Sequence, residues 1–333
     1  MEPFRLYKYV LAPSQVRETD WTQPNVCEPT NLSDAQIIFG NLLREVFMNN
    51  RRLPIGKKPE TGEDILPNSI IRIENDVTLL KLHNPAVVNI WKLNGAKVPE
   101  DSFPYSFIII DNRPGIGQLA IQKKIDAWTD PDTVAKLLED NLNRILKDQG
   151  TGLEIEIRYK YLPTEFFKFI KQRRKDDCIF VKRLYFEFTN PKFETPIETA
   201  VDTTGHIRQM IEMLTQIGGG KGKLLVEASK GKELIKKKRN DIKQMVSLVA
   251  TNGYKLKVEF SDKTSYTCNE MMLHDDEMSE RILHDFYDGQ KHSLFDFEVF
   301  KWLDSMLKKE KESEYHDQPI RVKPSRKSRR KIS

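Results

Sequence analysis

Apolar and polar residues along this chain switch repeatedly between a period of two and a period near 3.6, and the switching points outline strands and helices. An extended run over Phe4–Leu11 comes first, and the stretch through Pro13, Pro24 and Pro29 predicts a long loop. Asn31 or Ser33 then caps a helix in which Ile37, Ile38, Leu42, Val46 and Phe47 recur near helical spacing. Pro54 ends it and begins a Gly/Pro/Lys-rich stretch, residues 54–68, long enough for a mobile flap. Ser69–Glu74 and Val77–His83, joined by Asn75-Asp76, make a small antiparallel sheet with Val87–Leu93. Tyr105–Asp111 and Gln118–Gln122 flank the turn-rich residues 112–117 and predict a hairpin.

From there strands and helices alternate. Asp130-Pro131 supplies a cap and a first-turn proline, and Val134, Leu137, Leu138, Leu142, Ile145 and Leu146 form one apolar face. Strand Leu153–Tyr161, helix Thr164–Arg173, strand Ile179–Phe188, helix Thr203–Ile217, strand Lys223–Ala228 and helix Asn240–Asn252 follow. Tyr254, Leu256, Val258 and Phe260 alternate with Lys255, Lys257 and Glu259, the pattern of a strand with one face in water, within a hairpin reaching Cys268. Helices Glu277–Phe286 and Ser293–Lys308 close the fold. The expected class is α+β: a mixed, largely antiparallel sheet with packed helices and a disordered basic C-terminal tail. The expected organisation is an N-terminal α/β region with long loops over 1–100, a main domain over 101–308 and a charged tail over 309–333.

Composition supports folding: hydrophobic residues make up 38% and charged residues 31%, more apolar than a disordered chain carries. No apolar run reaches the roughly 20 residues of a membrane span and no secretory leader is visible, so the expected location is the cytoplasm. Cys27, Cys178 and Cys268 are too scattered for a disulfide framework or a zinc motif, and Cys268 fits a small core position. The net charge of +5 is unevenly spread. Residues 320–333 hold seven cations and no acid, so the other 319 residues sum to −2.

That tail, with Arg326, Lys327, Arg329, Arg330 and Lys331, is one candidate nucleic-acid contact. The other is the stretch 221–239, where Lys221, Lys223, Lys230, Lys232, Lys236, Lys237, Lys238 and Arg239 outnumber Glu227 and Glu233. The acidic stretch 270–288 could neutralise it within the fold. Gly218–Gly222 is not a phosphate loop, because Leu224 follows Lys223 and a strand follows the glycines. No Glu-x-Lys occurs, the sole Asp-x-Lys (Asp241 to Lys243) falls in a helix, and the six histidines lack metal spacing. Glu154, Glu156 and Glu187 alternate on strands and offer at most a divergent cation site. In Asp111-Asn112-Arg113-Pro114-Gly115 the side chains of Asp111 and Asn112 suit a turn, whereas Arg113 is not required by one and is the first choice for a ligand or partner contact.

The segments FIIIDNRPGIGQLAI, DPDTVAKLLEDNLNRIL, RLYFEFTNPKF and VATNGYKLKVEF, spanning roughly residues 100–265, resemble an uncharacterised bacterial family associated with phage-defence loci. The resemblance implies an antiviral role and transfers no catalytic residue. The expected function is therefore a component of a prokaryotic antiviral system that binds or senses DNA or RNA, without cofactor or metal and with other defence proteins as further partners. The alternatives are a metal-dependent effector nuclease and a protein-binding adaptor.

Overall fold

A computed structural model describes residues 1–14, 31–91, 97–189, 221–229, 232–235, 240–279 and 293–315, together with positions 209, 213, 216 and 282. The expected helix Thr203–Ile217 and the basic tail beyond Tyr315 lie outside the described residues, apart from those single positions. The class is α+β, with two main sheets in place of the single one expected.

The larger sheet is built around β1 (Glu2–Pro13). Its order is β10 (Leu153–Tyr159), β1, β9 (Gln118–Gln122), β8 (Tyr105–Asp111), β5 (Val77–His83), β4 (Asn68–Glu74), and β15 (Asp275–Met278) pairs with the start of β1 beside β10. Every pairing in it is antiparallel. A division at residue 100 falls inside this sheet, because β5 pairs with β8 and β1 with β9. Asn75 and Asp76, at φ 44° and 62°, make the left-handed turn between β4 and β5 that side-chain amides and carboxylates tolerate.

Strand periodicity gives the sheet two apolar faces. Tyr7, Tyr9, Leu11, Ile108, Ile110, Leu119 and Ile121 face α1 (Leu32–Asn49) and α2 (Pro131–Asp148), which contribute Phe39, Leu42, Leu43, Val134, Leu138 and Leu142. Asn31 and Asp130 cap these helices by accepting from Asp34 N and Asp132 N at 3.0 and 3.1 Å. Residues 54–68 are anchored, not a flap: Leu53, Ile55 and Leu66 enter this core, and Asn141 of α2 accepts from Gly56 N at 2.9 Å. Asn68 holds both N–H and C=O of Leu53, so a short ribbon of β2 (Gly56–Lys58) and β3 (Glu63–Ile65) rests on the body. β6 (Ala86–Trp91) leaves the sheet and pairs with β7 (Lys97–Ser102).

The opposite face carries Phe4, Leu6, Leu79, Phe107, Ile109 and Ala120. They receive Val299, Trp302, Leu303 and Met306 of α6 (Ser293–Tyr315), one helical stripe. Glu277 and Met278, expected in a helix, belong to β15, where β1 offers backbone partners.

The second sheet has the order β12 (Lys221–Glu227), β11 (Val181–Thr189), β13 (Lys255–Phe260), β14 (Ser265–Thr267). Its inner face, Leu184, Phe186, Phe188, Leu256, Val258 and Phe260, packs on α3 (Pro163–Asp177) and α4 (Asn240–Asn252). Cys268, buried as expected, opens the short helix α5 (Cys268–Met271). Gly253, at φ +64°, joins the two units: a Cβ there would stand 2.7 Å from Arg158 Cβ and 2.9 Å from Tyr159 O. Arg158 in turn donates to Asn252 O at 3.2 Å. Among the described residues no helix is long and apolar enough to cross a membrane.

Candidate nucleic-acid interface

The outer face of the second sheet is polar because its residues alternate with the core residues beneath. Register fixes the neighbours. Lys223, Glu187 and Lys255 form one row across β12, β11 and β13. Leu225, Tyr185, Lys257 and Thr267 form the next, and Glu227, Arg183 and Glu259 the third. Lys221 stands opposite Thr189 at the end nearest Lys223.

Charge on this face is graded. At the far end Arg183 bonds Glu227 and Glu259, each at 2.9 Å, and Tyr185 donates to Glu259 at 3.0 Å, so that row sets two carboxylates against one guanidinium and is net negative. At the near end a single carboxylate, Glu187, stands 3.5 Å from Lys223 and 3.9 Å from Lys255. Those lysine side chains are 78% and 75% exposed, so the contacts are solvent-screened and worth little. Lys221 and Lys257 are exposed beside them, and Leu225 stands half out of the surface between the rows. The near end is thus an exposed cationic patch that can approach an extended polyanion without losing buried ion pairs.

Of the basic residues singled out in the sequence, Lys221 and Lys223 lie on this patch, and Lys232 is exposed on the loop after β12. Lys230, Lys236, Lys237, Lys238, Arg239, Arg326, Lys327, Arg329, Arg330 and Lys331 lie outside the described residues. The sequence passes over Lys255 and Lys257 as binding residues, although their alternation with Leu256 and Val258 marks them as solvent-facing; only the register with β11 brings them to Lys223. The acidic stretch 270–288 does not cover the patch where it is described. Asp275 bonds Arg5 and Lys123 at 3.0 and 2.7 Å, Asp276 pairs with Lys309, and Glu270 caps α5.

Arg113 is held internally. It donates to Asp111 through Nε at 2.8 Å and Nη2 at 2.7 Å, reaches Asp304 of α6 at 2.8 Å, and its guanidinium lies 5.5 Å from the Phe300 ring centroid. The bonds to Asp111 come first among the causes that raise its already high pKa. Asn112 is equally committed, accepting from Tyr9 Oη at 2.6 Å and donating to Gln36 O at 2.8 Å. Glu154 and Glu156 stand on β10 of the first sheet and Glu187 on β11 of the second, so the three do not share a sheet. Among the described residues no three His, Cys, Asp or Glu side chains are grouped to hold a metal ion.

A second polar constellation is invisible in the sequence. Lys160, just after β10, donates to Gln118 Oε1 at 2.6 Å and to both oxygens of Glu310 at 2.8 Å. His274 Nδ1 lies 3.2 Å from Glu310 Oε1. Burial lowers the Lys160 pKa against the pull of Glu310; burial also acts to raise Glu310, yet His274 and Lys160 hold its carboxyl below the usual range. Comparison with protein-family models, curated proteins and solved structures finds no match for this chain.

Proposed function

We propose that this protein binds nucleic acid non-catalytically, with Lys221, Lys223, Lys255 and Lys257 contacting backbone phosphates and the basic tail adding a polycationic tether. The observation that carries this reading is the near end of the second sheet, where four exposed lysines stand near one carboxylate on the outer face. Such lysines release condensed counterions when they meet phosphates, a sequence-independent gain. The described residues of the patch offer contacts to phosphates, which favour the backbone over a particular sequence. Tyr185, flanked by Lys257 at 5.9 Å, offers one ring beside the patch. The resemblance carried by residues 100–265 supports placing this binding within a prokaryotic antiviral system, where the bound nucleic acid would serve as the sensed ligand.

The reading is tested by fluorescence anisotropy of the full chain with labelled single- and double-stranded oligonucleotides, with magnesium added in parallel. Binding at low salt that disappears at high salt, with the oligonucleotide recovered intact, is the expected result. Absence of binding at low salt overturns the reading, and magnesium-dependent cleavage replaces it with the nuclease.

A further inference from the structure

The carboxylate of Glu310 leaves α6 on the same stripe as Leu303 and Met306, yet it meets a polar part of the sheet. Lys160, His274 and Gln118 are there independently of the helix. Their backbones are fixed by the sheet: His274 N donates to Lys160 O at 3.0 Å, Leu6 N to His274 O at 3.0 Å, and Lys160 N to Leu6 O at 3.2 Å. The pocket is therefore built by strands, and the residue that fills it comes from a helix five positions before its end at Tyr315.

The fit is incomplete in an informative way. Lysine only donates, so the Gln118 carbonyl must face Lys160 Nζ, which leaves Gln118 Nε2 on the other side. That nitrogen has no partner, nor has His274 Nε2, and both side chains are fully buried. Both oxygens of Glu310 are already engaged by Lys160 and His274. A tetrahedral oxyanion offers more acceptors than a carboxylate, and Gln118 and His274 each keep one buried nitrogen without a partner beside this site.

We propose that Lys160, His274 and Gln118 form a pocket for a terminal phosphate group, and that Glu310 is a tethered carboxylate that fills this pocket until a phosphate displaces it and frees the end of α6. The pocket lies on the first sheet, so the proposal does not depend on the lysine patch of the second. A mostly buried site covered by the end of α6 suits a terminal phosphate, free or at a nucleic-acid end, and not a mid-chain phosphodiester.

Hydrogen exchange of the full wild-type chain, read over residues 303–315 with inorganic phosphate against chloride at equal ionic strength, tests the displacement. About tenfold faster exchange in phosphate is expected. Unchanged exchange at any phosphate concentration overturns the displacement. A 5′-phosphorylated oligonucleotide compared with its 5′-hydroxyl twin assigns the source: acceleration by the phosphorylated strand beyond that of inorganic phosphate makes a nucleic-acid end the ligand, and equal action of the two strands makes free phosphate the ligand. Calorimetry adds the variants. Glu310→Gln is expected to bind inorganic phosphate about tenfold more tightly than wild type, and Lys160→Met not at all. A folded Glu310→Gln protein that fails to bind phosphate refutes the pocket.

Discussion

Replacing Arg113 by Leu isolates what the turn after β8 contributes. Asp111 is fully buried, and its carboxylate is bonded by Arg113 Nε, Nη2 and backbone N at 2.8, 2.7 and 3.3 Å. The Arg113→Leu substitution would leave that carboxylate with the backbone bond alone, and stranding one member of a buried pair costs about 3–5 kcal/mol. The bond from Arg113 to Asp304 contributes less than about 1 kcal/mol, because Asp304 is 60% exposed. In the double variant Asp111→Leu/Arg113→Leu no buried charge remains, so its loss should fall to roughly half that of the single variant or less. Urea unfolding at neutral pH, with the denaturant slope checked for constancy, measures both. A single variant losing under about 1 kcal/mol, or a double variant losing more than the single, would refute the assignment of Arg113 to the interior.

Gly253→Ala should destabilise by about 2 kcal/mol or more in the same assay, since a left-handed conformation is combined with backbone and Cβ clashes at β10; a neutral effect would mean that the two units are not in contact there. The folded-state pKa of Glu310 lies below its unfolded value, so its stabilisation is present above the unfolded pKa and lost as pH falls through the folded one. Acid titration of stability should therefore be shallower in Glu310→Gln than in wild type, and parallel curves would contradict the pairing with Lys160 and His274. Truncation after Pro319 should leave thermal stability within a few tenths of a kcal/mol and flatten the salt dependence of nucleic-acid binding. Unfolding of that truncation would show the tail to be docked.

Local signals were legible where residues act on near neighbours. Asn75-Asp76, the hairpin over 105–122, the Asp130-Pro131 cap and the alternation from Tyr254 to Phe260 all sit in the structure at or near their expected positions. What the sequence hides is long-range pairing. β1 joins β9, β10 and β15, which lie more than a hundred residues away, and nothing in Phe4–Leu11 names those partners. The tethering of residues 54–68 by Asn141 is hidden for the same reason, and a Gly/Pro-rich stretch then imitates a flap. The pairing of Arg113 with the buried Asp111 lies two residues away, but nothing local shows that Asp111 is buried or that Asp304 of α6, 191 positions on, joins them. Lys160, His274 and Glu310 carry no mutual spacing at all; strand pairing brings Lys160 to His274, and only the docking of α6 adds Glu310.

The salt dependence of oligonucleotide affinity, compared between wild type and the quadruple variant Lys221→Gln/Lys223→Gln/Lys255→Gln/Lys257→Gln, tests the proposed interface most directly. Each lost phosphate contact lowers the slope of log affinity against log salt by about 0.9 on duplex DNA and about 0.7 on single strands. The expected result is weaker binding at low salt and a slope reduced by about two or more, with unchanged thermal unfolding. Equal affinity and an equal slope in a folded quadruple variant would contradict the assignment of this sheet face to nucleic acid.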